Sequence, residues 1–446
     1  VRKKRTYTYL VVLATLSFIG FLAPQYAQAQ ALYISTPQNI NKIINPKTAD
    51  RRIVSVLSQM AYSRKYLSNF FNPWQRYGGI SHGIFANQKL NILKLEKSQI
   101  NYLMASPGWN QFGQRNRPGW VKSIANNMVL PTYSNIDETA IIVQNTFLRQ
   151  LPTMAPRLNA RTTNPEYRFD TLQIASVWIG TPAHILQISS DQKWALIKTA
   201  WMVGWVPYNA VAYVDSNFIK QWETGHYAAV VKNKASISTE DSEETFTAYI
   251  GTLLPFDQTV NNTYEILVPT MGPNHEAVVD HAEVDNSIVS QFPLAATPSN
   301  FAKIINQLIG EPYDWGGLRY NSDCSGLMLK IFTPFGVWLP RSSIAQASTG
   351  RYVPLLRKTV QQREQYLLKH GVPFMTLVYI DGHIMLYVGK YQGEPIIFHN
   401  LWGLETARKG FAFAGKAVLT RVDVGSGQKA RTIVQRRVFG ISTLGG

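Results

Sequence analysis

Gly316-Gly317-Leu318-Arg319-Tyr320-Asn321-Ser322-Asp323-Cys324-Ser325-Gly326-Leu327-Met328-Leu329-Lys330-Ile331-Phe332 contains the only cysteine of the 446-residue chain. The first half, with paired glycines and Asn, Ser and Asp, is a turn; in the second half Leu327, Met328, Ile331 and Phe332 recur at helical spacing. Cys324 therefore stands at a helix start, where free backbone N–H groups and the positive end of the helix dipole favour a thiolate. The thiolate is the reactive form of cysteine, so this placement suits a nucleophile. The plainer reading of a lone cysteine is a small buried hydrophobe.

A catalytic thiol also needs a base, and two of the eight histidines have strand context. His383 opens the run Ile384-Met385-Leu386-Tyr387-Val388, and His399 closes Ile396-Ile397-Phe398, with a turn-like stretch from Lys390 to Glu394 between them. A hairpin centred on Tyr391 sets His383 opposite His399 on one face, with Cβ atoms ~5 Å apart. A cysteine helix packed on that face completes a Cys-His-His site for attack on an amide carbonyl and hydrolysis of the resulting thioester. The alternative is two structural histidines near a buried thiol.

Pro312-Tyr313-Asp314-Trp315-Gly316-Gly317, Asp323-Cys324-Ser325-Gly326, Leu339-Pro340-Arg341-Ser342-Ser343 with Gln346, Gly382-His383 and His399 resemble, in order and spacing, the NlpC-type papain-like cell-wall cysteine peptidases. The resemblance implies an α+β peptidase domain over 296–446. It implies cleavage of peptidoglycan stem peptides between γ-D-glutamate and a diamino acid such as meso-diaminopimelate, by Cys324, His383 and His399. It further implies that Tyr313 assists the oxyanion site, that Asp323 and Ser343 hold the free amine of an N-terminal L-alanine, and that no metal or organic cofactor takes part. The domain opens after Ala295-Ala296-Thr297-Pro298 with a helix capped by Ser299 or Asn300, carrying Phe301, Ile304, Ile305 and Leu308 on one face and ending at Gly310.

The chain is too long for one core, and roughly 100–200 residues per domain predicts three or four domains. Short β-rich runs such as Trp194–Lys198, Gly204–Pro207, Thr245–Ile250 and Tyr264–Val268 predict two small barrels over 126–214 and 215–290, joined near Asp215–Gln221. Asn145–Thr153 with Trp194 and Gly204-Trp205-Val206 is similar to a bacterial SH3-like domain; the second unit departs further from that pattern. Residues 30–125 read as a small helical cap, in which the aromatics of Tyr66–Trp74 pack against a neighbour. Phe70-Phe71-Asn72-Pro73-Trp74 resembles the cap that precedes such domains in some of these peptidases.

Residues 1–29 read as an export signal: Arg2, Lys3, Lys4 and Arg5, an apolar run from Tyr9 to Leu22, then Ala27-Gln28-Ala29. The mature chain begins near Gln30 and is expected to be periplasmic or secreted; the apolar run falls short of the ~20 residues a membrane anchor needs. Without those four basic residues the net charge of +17 becomes +13. For an exported protein such charge points to peptidoglycan-associated anionic polymers or membrane surface rather than nucleic acid. Gly410–Ala417 has the spacing of a phosphate-binding loop but lacks its hydroxyl residue, and His275-Glu276 with His281 lacks the spacing of a helical zinc motif. Two other functions suit the same pattern: an inactive wall-binding SH3-like protein, and a thiol amidase or acyltransferase on the same fold.

Overall fold

The computed structural model describes residues 29–75, 82–128, 136–161, 169–406 and 410–445. Apart from Ala29, the export signal expected over 1–29 lies outside the described residues. No helix among the described residues is long and apolar enough to cross a membrane.

The N-terminal region is helical, with Val56–Phe70, His82–Ala105 and Pro118–Asn126. Ser55 starts the first of these by accepting from the Ser58 N–H. Buried apolar side chains of this region lie together with those of both β-units. Tyr66, Phe70, Phe71 and Trp74 share a buried cluster with Phe218, Trp222 and Tyr227 of the second β-unit, and Trp74 Nε1 donates to Ala140 O at 2.7 Å. Ile100, Leu103, Val121 and Ile124 are buried with Leu196 and Trp205 of the first. The helical cap thus shares its buried apolar side chains with both β-units.

The first β-unit is a seven-stranded sheet in the order Gln173–Val177, Thr146–Arg149, Val203–Pro207, Trp194–Thr199, Pro182–Ile188, Glu138–Ile142, Val211–Tyr213. Asp215 caps the connecting helix Ser216–Trp222 through the Phe218 N–H, so the predicted junction is a helix. The second unit is a five-stranded sheet, Ala277–Asp285, Thr263–Met271, Leu253–Val260, Tyr227–Val230, Val289–Gln291, with a separate hairpin Ala235–Ser238/Thr245–Ala248. Its last strand crosses the boundary expected at 290.

The C-terminal domain places helices on a seven-stranded sheet ordered Ala29–Ala31, Phe411–Arg421, Glu394–Glu405, His383–Tyr391, Thr376–Ile380, Phe439–Thr443, Arg351–Pro354. The opening helix is Pro298–Leu308; Thr297, rather than Ser299 or Asn300, caps it by accepting from the Asn300 N–H, with Pro298 in the first turn where its missing donor costs nothing. Phe301, Ile304, Ile305 and Leu308 are fully buried as their spacing predicts. The helix Cys324–Phe332 lays Leu327, Met328 and Ile331 into the same cluster as Ile384, Leu386 and Phe398. Gly410–Ala417 contributes to an edge-side strand, not to a strand-to-helix loop.

Candidate active site

Cys324 is the first residue of its helix and only 7% exposed. Asp323 caps the helix by accepting from the Gly326 N–H at 2.7 Å. The turn before it places Gly316 and Gly317 at φ +63° and +73°, a left-handed conformation that glycine adopts without strain. The expected turn-to-helix transition is therefore present at Cys324.

The two histidines meet by a route the sequence reading did not foresee. Gln392 and Gly393, both at positive φ, form a two-residue turn between the strands, so pairing starts at Tyr391↔Glu394 and not about Tyr391. Continued regularly, that register sets His399 opposite Leu386 and turns it away from His383. A bulge between Tyr387 and Gly389 leaves Val388 unpaired and shifts the register by one, giving Tyr387↔Ile397 and Leu386↔Phe398. One further step brings His399 opposite Met385, diagonal to His383 and back on its face. The histidines are diagonal neighbours rather than direct partners, with His383 Nε2 2.8 Å from His399 Nδ1.

Beyond His399 stands Thr420, whose Oγ1 lies 3.0 Å from His399 Nε2. His399 pairs with Val418 on the adjacent strand, so Thr420, two residues on, shares its face. His399 and Thr420 are both fully buried. Asn400 donates from Nδ2 to Ser322 O at 2.7 Å, tying the His399 strand to the turn before the cysteine.

The sulfur lies at the start of the His383 strand, where the backbone N–H groups of Ile384 and Ser325 point at it. Burial pushes the thiol up to about 12 and the Asp323 carboxylate adds to this, while those two N–H groups and Arg341 oppose it. Burial also pulls His383 down to about 4, with Arg436 adding to the effect and Asp323 opposing it. His399 is held well below the usual imidazole range by burial and by His383. Burial thus disfavours the charged form of the thiol and of both imidazoles.

Asp323 is held by several partners within the protein. Burial raises it, but Arg341 outweighs that and holds it below the usual carboxylate range. Arg341 grips it bidentately at 3.0 and 2.6 Å, and the Gly316 N–H donates to it at 3.1 Å. With these bonds and the helix cap in place, both oxygens accept from within the protein and the charge is balanced, which fixes the carboxylate beside the cysteine. Ser343 opens the short helix Ser343–Ala347 and stays partly exposed. Tyr313 is partly exposed and sits close enough to Cys324 and Asp323 that both, after burial, raise its hydroxyl well above the usual phenol value. It remains a protonated donor beside the sulfur.

The first β-unit reaches this site. Phe169 packs on Tyr313, Trp315 and Trp402 at 5.9, 5.7 and 5.2 Å between ring centroids. Gln173 Nε2 donates to Gly316 O at 3.1 Å, and Ser176 Oγ donates to Gly317 O. Sequence reading singled out neither Thr420 nor Phe169. The run Val418-Leu419-Thr420 after the discarded loop motif was the one local sign of a third strand beside the histidines.

Residues 310–405 match the NlpC/P60 family. The C-terminal domain is an NlpC/P60 peptidase domain. Upstream, residues 157–207 match an SH3 domain of SH3b1 type and 215–259 an SH3 domain of SH3b2 type, so the second β-unit is SH3-like as well. The solved NlpC/P60 endopeptidase of Photobacterium damselae subsp. piscicida is similar over 94% of this chain and 99% of its own, at 28% identity and a TM-score of 0.84. A Corynebacterium glutamicum protein named as a probable endopeptidase is 26% identical over 135 residues, 30% of this chain and 57% of that protein. The Bacillus subtilis gamma-D-glutamyl-L-lysine dipeptidyl-peptidase is 46% identical over 48 residues, 10% of this chain and 16% of that protein.

Proposed function

We propose that this chain is an exported thiol hydrolase that cleaves peptidoglycan stem peptides between γ-D-glutamate and the diamino acid that follows. The observation that carries the reading is the 2.8 Å contact between His383 and His399 beside a cysteine at a helix start. His383 Nε2 is engaged by His399, which leaves Nδ1 to take the thiol proton. The thiolate attacks the γ-carbonyl carbon; N–H groups at the helix start and the protonated Tyr313 hydroxyl receive the oxyanion. The imidazolium then protonates the leaving amine, and water, deprotonated by the same nitrogen, hydrolyses the thioester.

The substrate class is supported by the NlpC/P60 match and by the gamma-D-glutamyl-L-lysine specificity named for the Bacillus subtilis relative. The two SH3b-type units support binding to peptidoglycan. Amine recognition is assigned to Asp323, held in place by Arg341, and to the partly exposed Ser343. Export is supported by the basic, apolar and small-residue order of residues 1–29.

The test is mass spectrometry of L-Ala-γ-D-Glu-meso-diaminopimelate after incubation with the protein and with Cys324→Ala. Release of L-Ala-D-Glu by the unaltered protein alone supports both bond and nucleophile. No cleavage of this peptide or of a wall digest sinks the reading.

A further inference from the structure

Resting on the proposed thiol hydrolysis, we infer that Thr420 is a positioning residue: its hydroxyl oxygen accepts the Nε2 proton of His399 and so keeps His399 Nδ1 open to receive the Nε2 proton of His383. The chain of contacts is His383 Nε2 to His399 Nδ1 at 2.8 Å and His399 Nε2 to Thr420 Oγ1 at 3.0 Å, across three adjacent strands.

A neutral imidazole has one donor nitrogen and one acceptor nitrogen, so this chain supports two proton arrangements. In one, Thr420 donates to His399, His399 donates to His383 Nε2, and His383 carries its proton on Nδ1. In that arrangement the nitrogen left for the thiol is blocked. In the other, His383 donates to His399, His399 donates to Thr420, and His383 Nδ1 is a free base. Once His383 has taken the thiol proton, both its nitrogens are donors, and only the second arrangement satisfies every contact. A hydroxyl serves in both, because it donates or accepts by rotating about one bond. A residue with no acceptor at 420 leaves the His399 N–H buried and unpaired in the charged state of His383, the state that must protonate the leaving amine.

Burial strengthens this dependence. His399 and Thr420 are fully buried, and among the described residues their side chains hydrogen-bond only to each other and to His383. Burial holds His399 well below the usual range, so it stays neutral and acts through its tautomer rather than its charge. The charged groups bearing on His383 are Arg436, which disfavours its imidazolium, and Asp323, which favours it. Neither touches His399, which leaves Thr420 as the group that decides where the His399 proton sits.

The test compares Thr420→Val and Thr420→Ser on the stem peptide. Thr420→Val, nearly isosteric, is expected to lower kcat roughly 10- to 100-fold with KM within about twofold. It is also expected to move the acid limb of kcat/KM to lower pH, since the His383 imidazolium loses support. Thr420→Ser is expected to restore both. In 15N spectra of the unaltered protein, His399 is expected to carry its proton on Nε2 when His383 is protonated. Unchanged kcat and pH profile in Thr420→Val, Thr420→Ser as impaired as Thr420→Val, or an Nδ1-protonated His399 in that state each overturns the inference. Loss of the underlying reading is distinguishable, because Cys324→Ala then retains hydrolysis or the unaltered protein shows none.

Discussion

The two SH3b-type units touch the peptidase domain in different ways. The first holds the loop that leads into Cys324: Gln173 and Ser176 donate to the carbonyls of Gly316 and Gly317, Tyr320 donates to Asn145 O at 2.9 Å, and Phe147 stacks on Tyr320 at 4.6 Å. The second meets the opening helix and the cysteine helix, and reaches the same loop through one ring contact, Tyr249 on Tyr320 at 5.4 Å. Gln307 donates to Val231 O and accepts from the Asn233 N–H, and Tyr249 lies, beside Trp178 of the first unit, against the buried Lys330. Lys330 is itself paired with Glu311 at 2.9 Å. Similar small β-folds thus have unlike duties here: the first hydrogen-bonds to the active-site loop, while the second touches it by a ring contact alone and otherwise braces the two helices.

The first unit's influence runs through Gly316. Its carbonyl is held by Gln173 and its N–H donates to Asp323, which caps the cysteine helix and is gripped by Arg341. The largest effect is therefore expected from Arg341→Met, which leaves the buried Asp323 charge unpaired: a loss of about 3–5 kcal/mol of stability and no measurable turnover. Thermal unfolding beside a turnover assay checks it, and a variant with unchanged Tm breaks the proposed chain of contacts at its end.

Gly316→Ala comes next, because its Cβ meets Gln173 at 2.7 Å and the backbone is left-handed there. A cost of about 1–3 kcal/mol and at least a tenfold fall in kcat/KM are expected. Gln173→Ala removes the bond to Gly316 O together with those to Ala175 O and from the buried Arg149, about 1–2 kcal/mol, and is expected to lower kcat/KM three- to tenfold. Tyr249→Leu, on the second unit, is expected to lower stability by a similar ~1 kcal/mol while kcat/KM stays within about twofold. The distinction between the units collapses if Tyr249→Leu slows turnover as much as Gln173→Ala, measured at full folding.

The pH profile sharpens the picture of the site itself. His383, pulled down to about 4 by burial, is a neutral base at all higher pH, and the thiol, pushed up to about 12, does not ionise alone in the working range. kcat/KM is expected to stay flat from about pH 5 to 9 and to fall as acid protonates His383. A limb near pH 6.5 would instead mean an imidazole as solvated as a free one.

Much of this architecture was legible locally. Turn residues followed by a helical apolar stripe located the Cys324 helix, and the apolar spacing of Phe301, Ile304, Ile305 and Leu308 located the helix that opens the domain. Cap choice was less legible, because Thr297, Ser299 and Asn300 are all competent caps and Pro298 decides among them by favouring the first turn. The N-terminal aromatics were rightly read as packing against a neighbour, but which neighbour was invisible, since apolar stripes do not name their partners.

By itself the sequence determined which residues carry reactive groups, that Cys324 begins a helix, and that His383 and His399 lie on neighbouring strands, because these follow from spacing along one segment. The tertiary structure decided what those groups face. A single unpaired residue, Val388, restores His399 to the face of His383; Arg341 pairs with Asp323 beside the cysteine; and Thr420 arrives from a third strand. The physical reason is the same in each case: hydrogen-bond partners in a sheet or a buried ion pair are set by register and by distant chain segments, and a shift of one residue reverses which side chains meet.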